Sequence, residues 1–280
     1  MPSSWRLVVR RCRPWLGTFV EIAADSPEAI EAGFAAIAHV HARMSFHEAG
    51  SDLSALRDAA AGDIVAVDCE TVTVLRLATR LYEESDGLFD VTIGRQLVVS
   101  GFLPRLSAHP LRHFSGTAAD TEIVSDTQII CHRPVLIDLG GIAKGHAVDL
   151  AVAAMQAAGA EQGIVNASGD LRVFGPEAET IWLRAANGAL ASSIDVCNFA
   201  LATSSNLLFR RTVRGSQASP HFGPSRKPVL SDHAITILAP TCAFADAMTK
   251  IAMADPTRAE IMLAHEGGSL IITPALSQAA

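Results

Sequence analysis

The sequence has few charged residues, few aromatic residues and no long apolar run. Charged residues make up 18% of the 280 residues and aromatic residues 5%, with a single tyrosine. A low charged fraction beside 49% hydrophobic residues argues against an intrinsically disordered chain. The longest apolar run covers residues 150–155, whereas a membrane-spanning helix needs about 20 apolar residues. The sequence therefore predicts a folded chain with a large core and no transmembrane segment.

Positive charge is also in the minority. The chain has 22 Lys and Arg residues against 29 Asp and Glu, a net charge of -7 with neutral histidines. Proteins that bind mainly nucleic acid neutralise phosphates with a basic surface. We therefore expect no nucleic-acid partner.

Cysteine is scarce and follows no pattern. The five cysteines are scattered, and neither a Cys-x-x-Cys pair nor a Cys/His cluster at zinc spacing occurs. Four arginines lie among the first 13 residues, but the apolar stretch that follows such charges in a signal peptide is missing. We expect reduced thiols and a cytoplasmic location for the sequence as given.

No repeat or linker divides the chain, so we predict one domain over residues 1–280, or two tightly joined lobes. Helices and strands mix without strict alternation, which favours an α+β fold of mixed sheets and packed helices. The patterns predict helices that begin after Ser26 and after Asp68, and further helices over 143–158, 242–254 and 258–265. Strands are predicted over 16–23, 64–67, 135–139, 163–166, 171–174, 181–185, 234–239 and 269–273, with long loops over 94–128 and 205–232.

The turn at Gly140 and Gly141 is the most informative motif. It joins a predicted buried strand to a predicted helix, and Lys144 lies in the first helical turn. Glycines allow close approach of a ligand, and the free N–H groups of a helix N-terminus attract an anion. The spacing matches neither a Walker A loop nor a dinucleotide fingerprint. The motif indicates an anion site, with a plain packing turn as the alternative.

Two other residues, Asp246 and His221, are candidates for metal binding or catalysis. Asp246 lies on a mostly apolar helix, where a carboxylate is costly to bury unless it is paired or binds a cation. Either Lys250, four residues later, pairs with it, or it is a magnesium ligand. His221 lies in an irregular segment with glycine and proline, where catalytic groups are often held, although most loop histidines are idle.

Eight segments in order resemble the ApbE family of FAD:protein FMN transferases. The segments are Leu16-Gly-Thr18, Met44-Ser-Phe46 with Ser51-Asp-Leu-Ser54, Gly87-Leu-Phe-Asp-Val-Thr-Ile-Gly94, Ile137-Asp-Leu-Gly-Gly-Ile-Ala-Lys-Gly145, Val165-Asn-Ala-Ser-Gly-Asp170, Ala202-Thr-Ser204, His221, and Ala239-Pro-Thr-Cys-Ala-Phe-Ala-Asp246. The resemblance implies a Mg2+-dependent enzyme that moves FMN from FAD to a threonine hydroxyl of an acceptor flavoprotein and releases AMP.

The resemblance also implies a role for each matching residue. His221 would be the general base. The carbonyl of Gly141, the carboxylate of Asp246 and the hydroxyl of Thr249 would hold Mg2+. The FAD would be lined by Leu16, Phe46, Leu88, Phe89, Asp90, Asp138, Lys144 and Phe222.

The chain departs from the family pattern at two places that bear on the chemistry. The metal-binding threonine of the family corresponds to Lys250 here, and Thr249 is one residue early. We expect Lys250 to turn away so that Thr249 or water completes the Mg2+ shell; the alternative is that Lys250 pairs with Asp246 and partly replaces the metal. The segment after His221 is also shortened and lacks the family's aspartate. An FAD pyrophosphatase and a non-catalytic FAD-binding protein therefore remain alternatives.

Overall fold

A computed structural model describes residues 9–276 of the chain. The β-strands are β1 Val9–Trp15, β2 Thr18–Ala24, β3 Ile64–Ala66, β4 Thr121–Ser125, β5 Gln128–Cys131, β6 Gly163–Ala167, β7 Asp170–Phe174, β8 Glu179–Arg184, β9 Leu190–Val196, β10 Ala200–Ser204, β11 Arg211–Val213, β12 Ser216–Ala218, β13 His233–Ala239 and β14 Ser269–Pro274. The α-helices are α1 Pro27–Met44, α2 Asp52–Asp58, α3 Cys69–Glu84, α4 Gly94–Val99, α5 Ala143–Ala157, α6 Cys242–Ala254 and α7 Pro256–Glu266.

A seven-stranded sheet organises the fold. Its strand order is β1-β2-β6-β7-β10-β13-β14, and every neighbouring pair is antiparallel. A smaller sheet pairs β3, β5 and β4, while β8 with β9 and β11 with β12 form hairpins. Antiparallel sheets with helices packed beside them make an α+β fold, as the sequence predicts.

Both faces of the large sheet are covered. The pleat sends alternate residues to opposite faces, so Ile22 joins the main core while its neighbour Ala23 joins a second cluster. Helices α1, α5 and α6 pack on the main-core side. On the other side, Leu183 of β8 and Val196 of β9 pack against the sheet. The sheet is therefore the central layer of three.

The backbones of helices α5 and α6 lie very close together where the first turn of α5 meets the start of α6. A Cβ atom placed on Gly145, in the first turn of α5, would lie 2.3 Å from the carbonyl oxygen of Cys242 at the start of α6. No larger residue fits without moving a backbone. The glycine thus brings the N-terminal ends of two helices side by side, and the functional candidates Lys144 and Asp246 lie on those two ends.

Predictions that rest on capping are confirmed. Ser26 accepts a hydrogen bond from the N–H of Ala29 at 3.2 Å, and Pro27 follows at the first helical position of α1. Asp68 accepts from the N–H of Glu70 at 2.9 Å and caps α3. Helix α5 ends at Ala157 and Gly159 adopts a φ of 89°, as a glycine stop predicts.

Three predictions are wrong. Residues 94–128 contain α4 and β4 rather than a continuous loop, because both elements are too short for a clear period. Residues 135–139 are extended and mostly buried but form no strand. Residues 205–232 contain the hairpin of β11 and β12 rather than a continuous loop, because both strands are only three residues long. The helix predicted over 258–265 is α7, which begins slightly earlier, at Pro256, with its N-cap Asp255 accepting from the N–H of Arg258 at 3.0 Å.

Three of the four arginines near the N-terminus belong to an edge strand, and Arg6 lies outside the described residues. Arg10 of β1 pairs with Glu21 of β2, while Arg11 and Arg13 pair with Glu31 of α1. These ion pairs give the arginines a role in the fold, which explains a basic stretch that no long apolar stretch follows. Within residues 9–276, none of the helices has both the length and the apolar composition needed to cross a membrane.

Candidate functional site

Two cavities adjoin at the glycine turn. The first, of about 360 Å³, is lined by Leu88, Phe89, Asp90, Val91, Ile93, Leu97, Phe102, Leu103, Asp138, Gly140, Gly141, Lys144, Ser204, Pro220, His221, Phe222 and Lys250. The second, of about 440 Å³, is lined by Leu16, Gly17, Val40, His41, Met44, Ser45, Phe46, His47, Glu48, Leu103, Asp138, Leu139, Gly140, Ala143 and Lys144. Leu103, Asp138, Gly140 and Lys144 line both. A long ligand with a charged centre fits this arrangement.

Backbone hydrogen bonds hold the glycine turn in place. The N–H of Asp138 donates to the carbonyl of Val91 at 2.8 Å, and the N–H of Gly94 donates to the carbonyl of Leu136 at 3.0 Å. These two bonds fix the extended segment that the sequence analysis took for a strand. Helix α5 then begins without a side-chain cap. Its first turn lines the cavities through Ala143 and Lys144, so the positive end of the helix dipole lies beside them.

Lys144 is held between two buried carboxylates. Its Nζ pairs with Asp170 and lies 3.8 Å from Oδ2 of Asp246. Burial alone would lower the pKa of Lys144, but the two carboxylates outweigh it and raise that pKa above its ordinary value. The ammonium is therefore permanently charged and lies where both cavities meet.

Asp170 reaches this position through the predicted turn after β6. Ser168 and Gly169 have φ values of 60° and 102°, and Oδ1 of Asn166 accepts from the N–H of Gly169 at 2.9 Å. Two such left-handed residues form the tight hairpin that starts β7 at Asp170. The sequence predicts the two flanking strands, over 163–166 and 171–174, but gives Asp170 no role, because only the fold brings it to Lys144.

Lys250 turns toward Asp246, not away from it as we expected. Its Nζ pairs with Asp246 Oδ1 and donates to Ser204 Oγ and to Thr249 Oγ1, both at 3.0 Å. Burial would raise the pKa of Asp246, but the charges of Lys144 and Lys250 hold it below its ordinary value. Gly141 lies beside this lysine, since a Cβ there would be 3.1 Å from Lys250 Cε.

Two of the three residues predicted to hold Mg2+, Asp246 and Thr249, do not present free donors, whereas Gly141 lines the first cavity. Asp246 and Thr249 are fully buried and line neither cavity. Asp246 is engaged by Lys250 and Lys144, and its Oδ2 also accepts from the N–H of Gly145 at 3.4 Å. Thr249 Oγ1 donates to the carbonyl of Asp246 at 2.7 Å. Within residues 9–276, no group of three or more His, Cys, Asp and Glu side chains is arranged to hold a metal ion.

His221 lines the first cavity, and two backbone hydrogen bonds of His221 hold the loop that carries it. Its N–H donates to Ser219 Oγ at 3.0 Å, and its carbonyl accepts from the N–H of Val229 at 2.8 Å. Burial, with the charges of Lys250 and Lys144, lowers the pKa of His221 to about 3. Its Nδ1 is buried and has no hydrogen-bond partner among the described residues. A buried nitrogen in this state is costly, which indicates a position prepared for a ligand group.

Arg226 ties the shortened segment to Asp90. The Arg226 guanidinium lies 3.3 Å from Asp90 Oδ2 and donates to Thr92 Oγ1 at 2.9 Å. Asp90 also accepts from the N–H of Thr92 at 2.7 Å. Arg226 itself adopts a φ of 53° in the turn. The segment that lacks the family's aspartate is therefore anchored by an arginine, which the sequence analysis did not single out.

The apolar candidates divide between the cavities. Leu88, Phe89 and Phe222 line the first, whereas Leu16 and Phe46 line the second. Leu16 is in the β1–β2 turn with a φ of 56°. Asp138 lines both cavities, and burial raises its pKa to about 6. The structure thus brings all eight candidate FAD residues to one continuous site.

Comparisons with known proteins agree with this fold. The ApbE family model matches residues 16–271. A curated FAD:protein FMN transferase of Rhodobacter capsulatus is 30% identical over 181 residues, covering 59% of this chain and 35% of that protein. The match thus spans about a third of that relative's length. One from Vibrio cholerae serotype O1 is 25% identical over 226 residues, covering 75% of this chain and 68% of that protein.

Solved structures share the fold over almost the whole chain. The ApbE protein from Thermotoga maritima matches with a TM-score of 0.82 and 26% identity, covering 95% of this chain and 94% of that chain. The apo form of the Pseudomonas stutzeri flavinyl transferase ApbE also has a TM-score of 0.82, at 20% identity, covering 99% and 94%. Because the family model spans most of the sequence and the fold agrees throughout, the chain belongs to the ApbE family.

Proposed function

We propose that this chain is an FAD:protein FMN transferase that moves FMN from FAD to a threonine hydroxyl of an acceptor protein, with AMP as the leaving group. The curated relatives carry that name. The observation that carries the proposal is the meeting of two largely apolar cavities at Lys144 and the glycine turn. FAD has the matching form, with a ring system at each end and a diphosphate between them.

Lys144 and the α5 N-terminus supply the electrostatics of the transfer. Attack on the diphosphate gathers negative charge on phosphate oxygens, and fixed positive groups stabilise that charge. Lys144 is positioned before any ligand arrives, because its pairs with Asp170 and Asp246 hold it at the junction of the cavities. Little reorganisation is then needed during the reaction.

His221, which lines the first cavity, is the proposed acceptor of the threonine proton. A hydroxyl is a weak nucleophile at neutral pH, and a base within hydrogen-bond reach typically contributes about 10²- to 10⁴-fold. The low pKa of His221 in the ligand-free chain keeps its imidazole neutral and able to accept a proton. A bound diphosphate adds negative charge nearby and raises that pKa. The threonine oxygen then bonds to the FMN phosphorus as the bond to the AMP phosphate breaks.

Mg2+ stays a prediction of the sequence. The residues that would hold it do not fit the ion as the side chains stand, since the carboxylate of Asp246 is engaged by Lys250 and Lys144. The steps above therefore use only Lys144, the α5 N-terminus and His221.

Incubation of the purified chain with FAD and a threonine-containing acceptor domain tests the proposal. We expect AMP release and an acceptor mass increased by FMN. An acceptor with the target Thr→Ala change is the control and should stay unmodified. AMP and free FMN without any flavinylated acceptor would favour the pyrophosphatase. FAD binding without AMP would favour the non-catalytic alternative, and no FAD binding would contradict all three.

A further inference from the structure

The carboxylate of Asp246 is closed off from the first cavity by an ammonium of the chain itself. Asp246 has 0% side-chain exposure, whereas Lys250 has 16% and lines the cavity. A ligand that enters the cavity therefore meets Lys250 and not the carboxylate. An ion that needs Asp246 as a ligand has to displace a bonded lysine first.

The position of Lys250 is fixed by three acceptors. An ammonium has three donor hydrogens and no lone pair while it is protonated. Here the acceptors are Asp246 Oδ1, Ser204 Oγ and Thr249 Oγ1. Ser204 and Thr249 also bond to each other through their hydroxyls at 2.8 Å. The network comes from β10 and α6, both rigid elements of the main core.

The cluster balances its own charge. The ammonium groups of Lys144 and Lys250 face the carboxylates of Asp170 and Asp246, so the four side chains sum to zero. Buried carboxylates without a counter-charge are strongly destabilising. Both carboxylates here already have one, and the fold needs no metal ion to bury them.

We propose that Lys250 is a built-in cation that occupies the place of a divalent metal ion, so that this chain binds the FAD diphosphate through Lys144 and Lys250 without a metal. The inference rests on the proposed function for the identity of the ligand. Lys250 gives up the Thr249 contact to a phosphate oxygen and keeps its pair with Asp246. Gly141 leaves room beside it, because a Cβ there would lie 3.1 Å from Cε of the lysine.

Mn2+ binding and FAD binding together test this assignment. We expect the spectrum of free Mn2+, measured by electron paramagnetic resonance, to be unchanged by the wild-type chain with or without FAD. FAD affinity, measured by flavin fluorescence, should be equal in excess EDTA and in millimolar Mg2+. One Mn2+ bound per chain, or loss of FAD binding in EDTA, would overturn the proposal.

Lys250→Thr should convert the site to a metal-dependent one. The variant frees the Asp246 carboxylate, so we expect it to gain a Mn2+ site. Its FAD affinity should fall about tenfold in EDTA, the effect of losing one charge-assisted contact, and recover in Mg2+. Lys227→Thr is the matched control, because it removes the same charge from an exposed position. A folded Lys250→Thr chain with wild-type FAD affinity in EDTA and no Mn2+ site would also overturn the proposal.

The two wild-type measurements decide the matter if Lys250→Thr fails to fold. They also separate this inference from the proposed function. FMN transfer that requires Mg2+ would leave the transferase proposal standing and overturn the role of Lys250. Absence of FAD binding in every buffer would contradict the transferase proposal. In that case Mn2+ binding by the wild-type chain would still show whether Lys250 occupies the place of a metal ion.

Discussion

Asp149 of α5 caps the N-terminus of α6 from a neighbouring helix. Its Oδ1 accepts from the N–H of Cys242 at 3.0 Å and its Oδ2 from the N–H of Ala243 at 2.9 Å. Thr241, the residue at the N-cap position, makes no capping bond with its own side chain. Arg172 of β7 pairs with Asp149 at 2.7 Å and holds the carboxylate in place. The helix that carries Asp246 and Lys250 is therefore fastened to the helix that carries Lys144.

Asp149→Ala should destabilise the fold by about 1–2 kcal/mol, the usual effect of a lost helix cap. In this variant the N–H groups of Cys242 and Ala243 would lie partly buried without an acceptor. Urea unfolding followed by circular dichroism measures the change. Asp126→Ala is the control, because Asp126 is 82% exposed and pairs only at the surface. Equal midpoints for the two variants would contradict a capping role.

Lys144→Met should weaken FAD binding by about ten- to a hundredfold, since a hydrogen bond to a charged group contributes about 1.5–3 kcal/mol. Riboflavin, which lacks phosphate, should bind with unchanged affinity. Combination with Asp170→Asn avoids leaving that buried carboxylate without its partner. Titration of flavin fluorescence measures both ligands. Equal losses for FAD and riboflavin would place Lys144 away from the phosphates.

His221→Asn should slow FMN transfer by about 10²- to 10⁴-fold, because it removes the base that accepts the threonine proton. FAD affinity should change little, since a general base acts on the nucleophile in the transition state. Single-turnover flavinylation, followed by the mass of the acceptor, measures the rate. His233→Asn, at an exposed position, is the matched control. Unchanged transfer by His221→Asn would remove this residue from the mechanism.

His221 should also make the stability of the ligand-free chain depend on pH. Its pKa in the folded chain is about 3, below the 6.5 of an ordinary histidine. Between these values the unfolded state binds the proton and the folded state does not, so stability falls as pH falls from 6.5 toward 3. The slope reaches up to about 1.4 kcal/mol per pH unit.

The comparison of wild type with His221→Asn isolates this effect. Asp138, whose pKa is raised to about 6, contributes in the opposite direction in both proteins and cancels in the difference. The measurement is the free energy of unfolding in urea at several pH values. A difference that stays constant from pH 7 to about pH 5 would contradict the burial of a neutral imidazole.

Local signals explain the predictions that are confirmed. The Ser26-Pro27 cap and the Asp68 cap act within a few residues, so they can be identified without knowledge of the fold. The boundaries of α6 follow from its periodic apolar residues. The glycine turn before Lys144 was also found this way, since two glycines between an apolar segment and a helix permit close backbone approach of a ligand.

Long-range pairing explains why other elements and contacts were not predicted from the sequence. Strand β1 is rich in arginine and is identified as a strand only by its pairing with β2. Asp170 and Lys144 are 26 residues apart, and Ser204 and Lys250 are 46 apart. Their contacts depend on the order of strands in the sheet, which the local sequence does not contain. Lys250 is a different case, because its main partner Asp246 lies only four residues away and the expectation that it turns away followed the metal site of the family. Only its second acceptor, Ser204 Oγ, comes from a distant strand.

The contact between Gly145 and Cys242 has a consequence for the motion of the protein. The close packing at Gly145 and the hydrogen bonds from Asp149 join the ends of α5 and α6, so we expect the two ends to move together. The wall of the site that bears Lys144 and Lys250 is therefore preorganised, and its ordering entropy is lost during folding and not during ligand capture.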